Sequence, residues 1–297
     1  MTHTTPTRRP SSRLTPAALV LVLAGCQHAP ESQAVPSSPA PAAAAPVNPG
    51  PGIWTYVCGN GETLRADYPG ADTAVVERGG RLHPLKAARA ASGARYTGSG
   101  LQWWTRGSEA TLSQLKPGEE LASDPGVVCR VSVDAPVSPP PPGAPGGLPD
   151  DRTPLSEAPA GPKSPQAAGD VVQTYFALLE AGKYGDAWRL WSDGGKASQR
   201  TEAQFAADFD RYTSYHAQVG APGRPEGAAG SVYVQVPVVI YGRFKAGNEL
   251  HQSGTVTLRR INDVPGSTEE QRRWHITRIE LSPETQGLGV SDTRGPT

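Results

Sequence analysis

The stretch SGARYTGSGLQWWTRG, Ser92 to Gly107, decides how the first half of this chain is read. Arg95-Tyr96 is a short extended run, Gly98-Ser99-Gly100 is turn chemistry, and Trp103-Trp104 carry the chain back as a second strand. Side chains alternate along a strand, so the two tryptophans point to opposite faces. One belongs to a core, the other to a wall or a contact surface. The same stretch places a hydroxyl-bearing loop at Ser92 and a guanidinium at Arg106, fourteen residues apart.

Working outward, similar short runs recur. Thr63 to Tyr68 alternates with Leu64, Ala66 and Tyr68 on one face, and Ala74-Val75-Val76 and Glu109 to Leu112 follow suit. Gly59-Asn60-Gly61, Pro69-Gly70, Gly79-Gly80 and Pro117-Gly118 punctuate them. Short strands with glycine-rich turns predict a small antiparallel barrel or sandwich over residues 52–131. A core of that size is marginal without reinforcement.

The N-terminus bears on that reinforcement. Arg8, Arg9 and Arg13 precede the apolar run Ala17 to Gly25, which is too short to span a bilayer and ends at Cys26. Leu23-Ala24-Gly25-Cys26 resembles the bacterial lipobox, which implies a signal peptide over 1–25 and a lipidated Cys26. The alternative is an ordinary secretory signal with a chance Cys. Two or more acyl chains anchor stably where one does not. By resemblance to sorted lipoproteins, Gln27 points to the outer membrane. The remaining two of the three cysteines, Cys58 and Cys129, lie near the ends of the predicted β domain. In an exported protein they are expected to form a disulfide; two separate thiols are the alternative.

The chain has 34 Gly and 31 Pro in 297 residues, so part of it is linker. Residues 26–51 read as the lipidated Cys and a Pro/Ala-rich tether, 132–167 as a Pro/Gly-rich linker and 284–297 as a disordered tail. Lys+Arg and Asp+Glu are both 28, a balance that gives no electrostatic reason to expect nucleic acid.

Tyr56-Val57-Cys58, Ser92-Gly93-Ala94-Arg95-Tyr96, Trp103-Trp104-Thr105-Arg106-Gly107 with Glu109-Ala110, and a closing Cys129 together resemble the membrane-bound and periplasmic inhibitors of C-type lysozyme. The resemblance covers the β domain only. It implies an eight-stranded barrel with one disulfide, a C-type lysozyme as protein partner, no enzymatic activity, no cofactor and no metal. It also implies inhibitory contacts from Ser92, Gly93, Tyr96, Trp104 and Arg106. The chemistry is coherent, because lysozyme works through a protonated acid and an ionised carboxylate about 5 Å apart. A hydroxyl at Ser92 suits the first and a guanidinium at Arg106 the second. The family motif carries Lys where this chain has Arg106, a larger and bidentate donor, in a chain with 6 Lys against 22 Arg. Arg95 is a second cation, one the resemblance leaves unassigned.

Residues 168–283 read differently. Asp170 with Gln173 resembles a capping box opening a helix that carries Val171, Val172, Tyr175, Leu178 and Leu179. A second helix carries Tyr184, Ala187, Trp188 and Trp191, and a third, capped by Thr201 and Gln204, carries Phe205, Phe209 and Tyr212. Strands follow at Val232 to Ile240, Thr255 to Ile261 and Trp274 to Leu281. Three helices leading into a curved antiparallel sheet, with YFALLEAGKYGDAW as the first hairpin, resemble the NTF2-like cone, an α+β fold that often holds a small ligand. Pro237 inside a strand suggests an edge or a bulge. His216 is a candidate to face the cone. The leading expectation is an outer-membrane-anchored lysozyme inhibitor. The alternative is an envelope ligand-binding or assembly lipoprotein acting through the second domain, and an NTF2-like enzyme comes third.

Overall fold

The computed structural model describes residues 49–150, 161–282 and 288. The signal peptide, Cys26 and most of the tether and tail lie outside the described residues.

Eight short strands make the first domain: β1 Gly52–Cys58, β2 Thr63–Gly70, β3 Thr73–Arg78, β4 Arg81–Ala88, β5 Ala94–Gly98, β6 Leu101–Arg106, β7 Glu109–Gln114 and β8 Val127–Val131. Each pairs antiparallel with the next, and β8 returns to β1 to close the barrel. Closure removes the exposed sheet edges that a small β domain otherwise carries. Cys58 and Cys129 are register partners across the closing seam and are joined by a disulfide. Constraining the unfolded chain over this span is worth roughly 4 kcal/mol in the chain-entropy picture.

Alternation sorts the residues as expected. Tyr56, Leu64, Ala66, Tyr68, Val76, Leu85, Tyr96 and Trp103 fill the barrel. Trp103 meets Tyr56 edge to face at 5.0 Å. Its indole N–H donates to the Tyr68 hydroxyl at 2.8 Å, which in turn lies 2.9 Å from the Tyr56 hydroxyl. Burial pushes both phenols above their ordinary range, so they remain neutral and the buried polar atoms satisfy one another.

The second domain opens with helices α1 Pro165–Glu180, α2 Tyr184–Arg189 and α3 Glu202–Ala207. The sheet follows: β9 Tyr212–Val219, β10 Glu226–Ala228, β11 Ser231–Phe244, β12 Glu249–Ile261 and β13 His275–Leu281. All strand pairs are antiparallel; β9 and β10 share one side of β11, and β12 and β13 lie on the other. One face packs Val234, Val236, Val238, Ile240, Val256 and Leu258 against Val172, Tyr175, Phe176, Leu179 and Phe205 from the helices.

Several details differ from the expected pattern. Helix α1 starts at Pro165, capped by the Ser164 hydroxyl, which accepts from the Ala167 amide at 3.1 Å. Asp170 therefore lies inside the helix and caps nothing; proline pre-sets the first helical φ five residues earlier. The Thr201–Gln204 capping box is present, but α3 ends at Ala207, and Phe209 and Tyr212 continue its aromatic stripe from outside the helix. Pro237 sits in the central strand rather than at an edge. Pairing with β9 begins only at Val238, and the Pro237 carbonyl accepts from Gly220 N at 2.8 Å. A strand residue directs N–H and C=O to the same side, so the missing donor faces the gap where β9 has ended. His216 pairs with Tyr241, opposite in face to Ile240, and meets Glu180 at the sheet's edge. It points away from the packed face.

The two domains share a buried polar contact. Strand β12 begins at Glu249, six residues before the expected Thr255, and this extension meets the outer face of β1 and β2. Glu249 is 3% exposed. Its carboxylate accepts from Thr55 Oγ1, from Arg65 Nε at 3.1 Å and Nη2 at 2.9 Å, and lies 2.7 Å from His251 Nε2. Burial alone would raise its pKa. The His251 hydrogen bond, the Arg65 charge and the Thr55 hydroxyl outweigh burial and lower it from 4.5 to about 2. Beside it, Gly247 lies against the Trp54 ring; a Cβ there would stand 3.0 Å from Trp54 Cζ3, at a φ of +104°. The expected linker is anchored as well. Arg243 donates to Gly247 O and to Ala135 O, each at 2.7 Å. Leu288, in the expected tail, is buried with Ile53 and Val75, and its amide donates to Asp67 at 3.1 Å.

Candidate functional site

In a next-neighbour antiparallel barrel, alternate connections emerge at the same end. The β4–β5 loop carrying Ser92 and the β6–β7 turn after Arg106 flank the β5–β6 hairpin, so that hairpin returns the second to the side of the first. Ala94 pairs with Thr105, which sets Gly93 directly beside Arg106. Gly93 has φ +69°, and any Cβ there would run into the Thr105 carbonyl and approach Arg106 Cγ at 3.0 Å. The glycine of the first motif is thus what lets the Ser92 loop lie down on the end of β6.

Trp104 joins the two loops. Its indole N–H donates to the Ser92 carbonyl at 2.8 Å, and the Arg106 guanidinium lies over its ring at 4.3 Å. Trp103 is the core residue and Trp104 the half-buried wall, as alternation requires. Ser92 and Arg106 are both exposed. Glu109, the cross-strand partner of Arg106, is engaged by Arg130 at 2.7 Å instead. The arrangement presents a planar, pre-oriented cation beside a loop hydroxyl, which are donors suited to acidic groups lying close together.

Tyr96 is placed otherwise. It is 6% exposed, lies inside the barrel with its ring 5.9 Å from Tyr68, and helps line a cavity of about 340 Å³ at this end with Gly50, Gly93, Thr105 and Gly107. It supports the loop from within. Of the five expected contact residues, Ser92, Gly93, Trp104 and Arg106 are brought together at the surface and Tyr96 beneath them.

Arg95 is the residue that reasoning from sequence missed. It is 8% exposed and donates to Arg89 O at 2.8 Å, Gln102 Oε1 at 3.2 Å and Glu120 O at 2.5 Å. It ties the segment before Ser92 to the β7–β8 loop. Two of its acceptors are backbone carbonyls, which leave no mark on a sequence. The one available signal was its pairing across from Trp104, on the same outer face.

Fold and geometry define a small disulfide-closed barrel that displays two loops as one projecting unit. Within it, residues 56–120 match the family described as membrane-bound lysozyme-inhibitor of c-type lysozyme. A relative from Cupriavidus necator named "Membrane-bound lysozyme inhibitor of C-type lysozyme" is 39% identical over 70 residues, covering 23% of this chain and 56% of that protein. A solved structure of a nuclear transport factor 2 (NTF2-like) superfamily protein from Salmonella enterica serovar Typhimurium is 13% identical, covering 43% of this chain and 96% of that chain. Its TM-score is 0.29, too loose a superposition to assign the second domain's fold.

Proposed function

We propose that this chain inhibits C-type lysozyme by setting the Ser92 loop and Arg106 into the enzyme's active-site cleft. The observation that carries the reading is the single unit built by Trp104, which bonds the Ser92 loop and supports the Arg106 guanidinium within the segment the inhibitor family matches. The cleft offers an ionised carboxylate and a protonated acid about 5 Å apart. Arg106 complements the first and the Ser92 hydroxyl the second, so the unit occupies the cleft without offering a bond to cleave. Arginine in place of the family's lysine keeps the charge and adds a second parallel donor.

In this reading Cys26 carries the lipid and the protein stays on the outer membrane. Replacing Cys26 by Ser is expected to release it, and a Cys26→Ser protein that still fractionates with outer membranes would remove the anchor from the account. The second domain we read as an NTF2-like cone, supported by its order of three helices and then a sheet. Tyr175, Phe176, Trp191, Phe205 and Tyr215 pack with the sheet's apolar residues in one core, and the inhibitor reading calls on no ligand there. The test is lysis of a cell-wall suspension by C-type lysozyme in the presence of purified protein lacking residues 1–26. Lysis is expected to fall to a stoichiometric end point. Undiminished lysis at micromolar protein would remove the inhibitor reading and leave function with the second domain.

A further inference from the structure

Two loop tips are too small to hold a folded protein. Stable protein–protein interfaces bury about 800 Å² per partner, or about 20–30 residues a side. A partner that receives Ser92 and Arg106 therefore rests on a neighbouring face of the barrel. The outer face of β1, β2 and β3 is taken: Thr55, Arg65 and Glu77 lead to Glu249 and His251, and Ile53 and Val75 are covered by Leu288. Among the described residues, only the β7–β8 loop lies over the outer face of β6, β7 and β8.

On that face Trp104, Thr111 and Val128 lie side by side across three strands. The β7–β8 loop folds back over them, leaving a groove of about 430 Å³ between the Trp104–Arg106 ledge and Leu121. Leu121 is 55% exposed and Val128 47%. They are two of the six large hydrophobics that are exposed among the described residues, and both line this groove. Val57, a third, lies diagonally beside Val128, since Val57 pairs with Arg130. Grouped exposed apolar side chains next to a projecting polar unit are the makings of an interface, whereas scattered ones are ordinary. The groove is held open by buried groups. Arg95 grips the Glu120 carbonyl, and Gln102 Oε1 accepts both from Arg95 and from the Ala122 amide at 3.2 Å.

We infer that the body of the lysozyme docks on this β6–β8 face, with Leu121 and Val128 packing against the rim of its cleft while Arg106 and Ser92 enter it. The inference rests on the inhibitor reading above. Trp104 serves both parts: its N–H fixes the Ser92 loop, and its ring carries Arg106 and walls the groove.

The experiment is calorimetric titration of C-type lysozyme into protein lacking residues 1–26, as wild type, Leu121→Glu and Leu82→Glu. Leu82 is likewise exposed but lies on β4, beside the β3–β4 turn at the barrel's other end. Leu121→Glu is expected to raise Kd at least tenfold, Leu82→Glu to leave it within twofold, and both to melt as wild type does. Amide exchange is expected to slow at 119–123 when lysozyme binds. Wild-type affinity for Leu121→Glu with unchanged exchange at 119–123 overturns the docking face alone. Failure of the wild-type protein to bind lysozyme overturns the inhibitor reading and this inference together.

Discussion

Removing Arg65 tests whether the two domains are one body. Glu249 is a carboxylate held 3% exposed on β12, and Arg65 supplies two of its hydrogen bonds from across the domain boundary. Stripping a buried ion of its partner costs about 3–5 kcal/mol when nothing else compensates. Here Thr55 and His251 remain, so Arg65→Ala is expected to cost about 3 kcal/mol, at the low end. Glu249→Gln preserves shape and stands in for the protonated carboxyl while Arg65 keeps Glu77 at 3.1 Å, so above pH 5 its cost is expected to match the linked energy of the ionised group, about 3 kcal/mol. The pH dependence gives a separate signature. A carboxyl whose pKa falls from 4.5 to about 2 on folding contributes stability above its unfolded value, and that stability is lost as pH drops from 4.5 towards 2. The linked energy is roughly 3 kcal/mol at 1.4 kcal/mol per unit. Other carboxylates titrate in the same window, so the quantity to follow is the difference between wild type and Glu249→Gln in urea unfolding at pH 6, 4 and 3. That difference is expected to shrink as pH falls. A pH-independent difference, or an Arg65→Ala cost below about 0.5 kcal/mol, would mean that the contact does not join the domains.

Three further outcomes follow from the site's construction. Replacing Cys58 and Cys129 together by Ala opens the barrel seam and is expected to lower stability by about 2–5 kcal/mol in equilibrium unfolding; an unchanged midpoint would show the seam to be held by its strand pairing alone. Gly93→Ala forces a side chain onto the Thr105 carbonyl at positive φ, so it is expected to weaken lysozyme inhibition more than Ser92→Ala does, although it removes no functional group. Equal inhibition by Gly93→Ala and wild type would show that loop position is immaterial. Arg95→Ala removes three hydrogen bonds made by a buried guanidinium, leaving Gln102 Oε1 to the Ala122 amide, and is expected to cost about 3 kcal/mol of stability at roughly 1 kcal/mol per bond, read from its melting transition; a wild-type melt would show that the groove does not depend on it.

Much of the barrel was legible because its rules are local. Alternation separated Leu64, Ala66 and Tyr68 from their neighbours and Trp103 from Trp104, and glycine-rich turns marked the hairpins. The disulfide was legible from compartment and position. What escaped depends on contacts distant in sequence. Glu249 and His251 precede the strand expected from Thr255 and carried no role in the sequence, yet they are buried against Arg65, 184 and 186 residues away. Ser164 was hidden by the Pro-rich composition around it, though it caps α1 as any serine before a proline can. Tyr96 belonged to a functional motif and turned out to serve the core; Arg95, one residue earlier, is a cation made structural by two backbone carbonyls and a glutamine. In each case residue type was informative, and burial, set by the other domain or by a folded-back loop, decided the role.

The central claim is that Arg106 meets an ionised carboxylate in the lysozyme cleft. Arg106 is exposed, touches Trp104 and is not needed by the barrel, so Arg106→Ala is expected to leave the melting temperature unchanged. Truncating one member of a desolvated charge pair at an interface costs about 2–5 kcal/mol, which is roughly thirtyfold to a few thousandfold in the inhibition constant. Ser92→Ala removes a neutral hydrogen bond worth about 1 kcal/mol, roughly fivefold. Arg106→Lys keeps the charge and is expected to retain most of the inhibition. The deciding measurement is the inhibition constant of Arg106→Ala against C-type lysozyme beside that of wild type. A rise of at least thirtyfold with an unchanged melt is the predicted result, and inhibition equal to wild type would contradict the account.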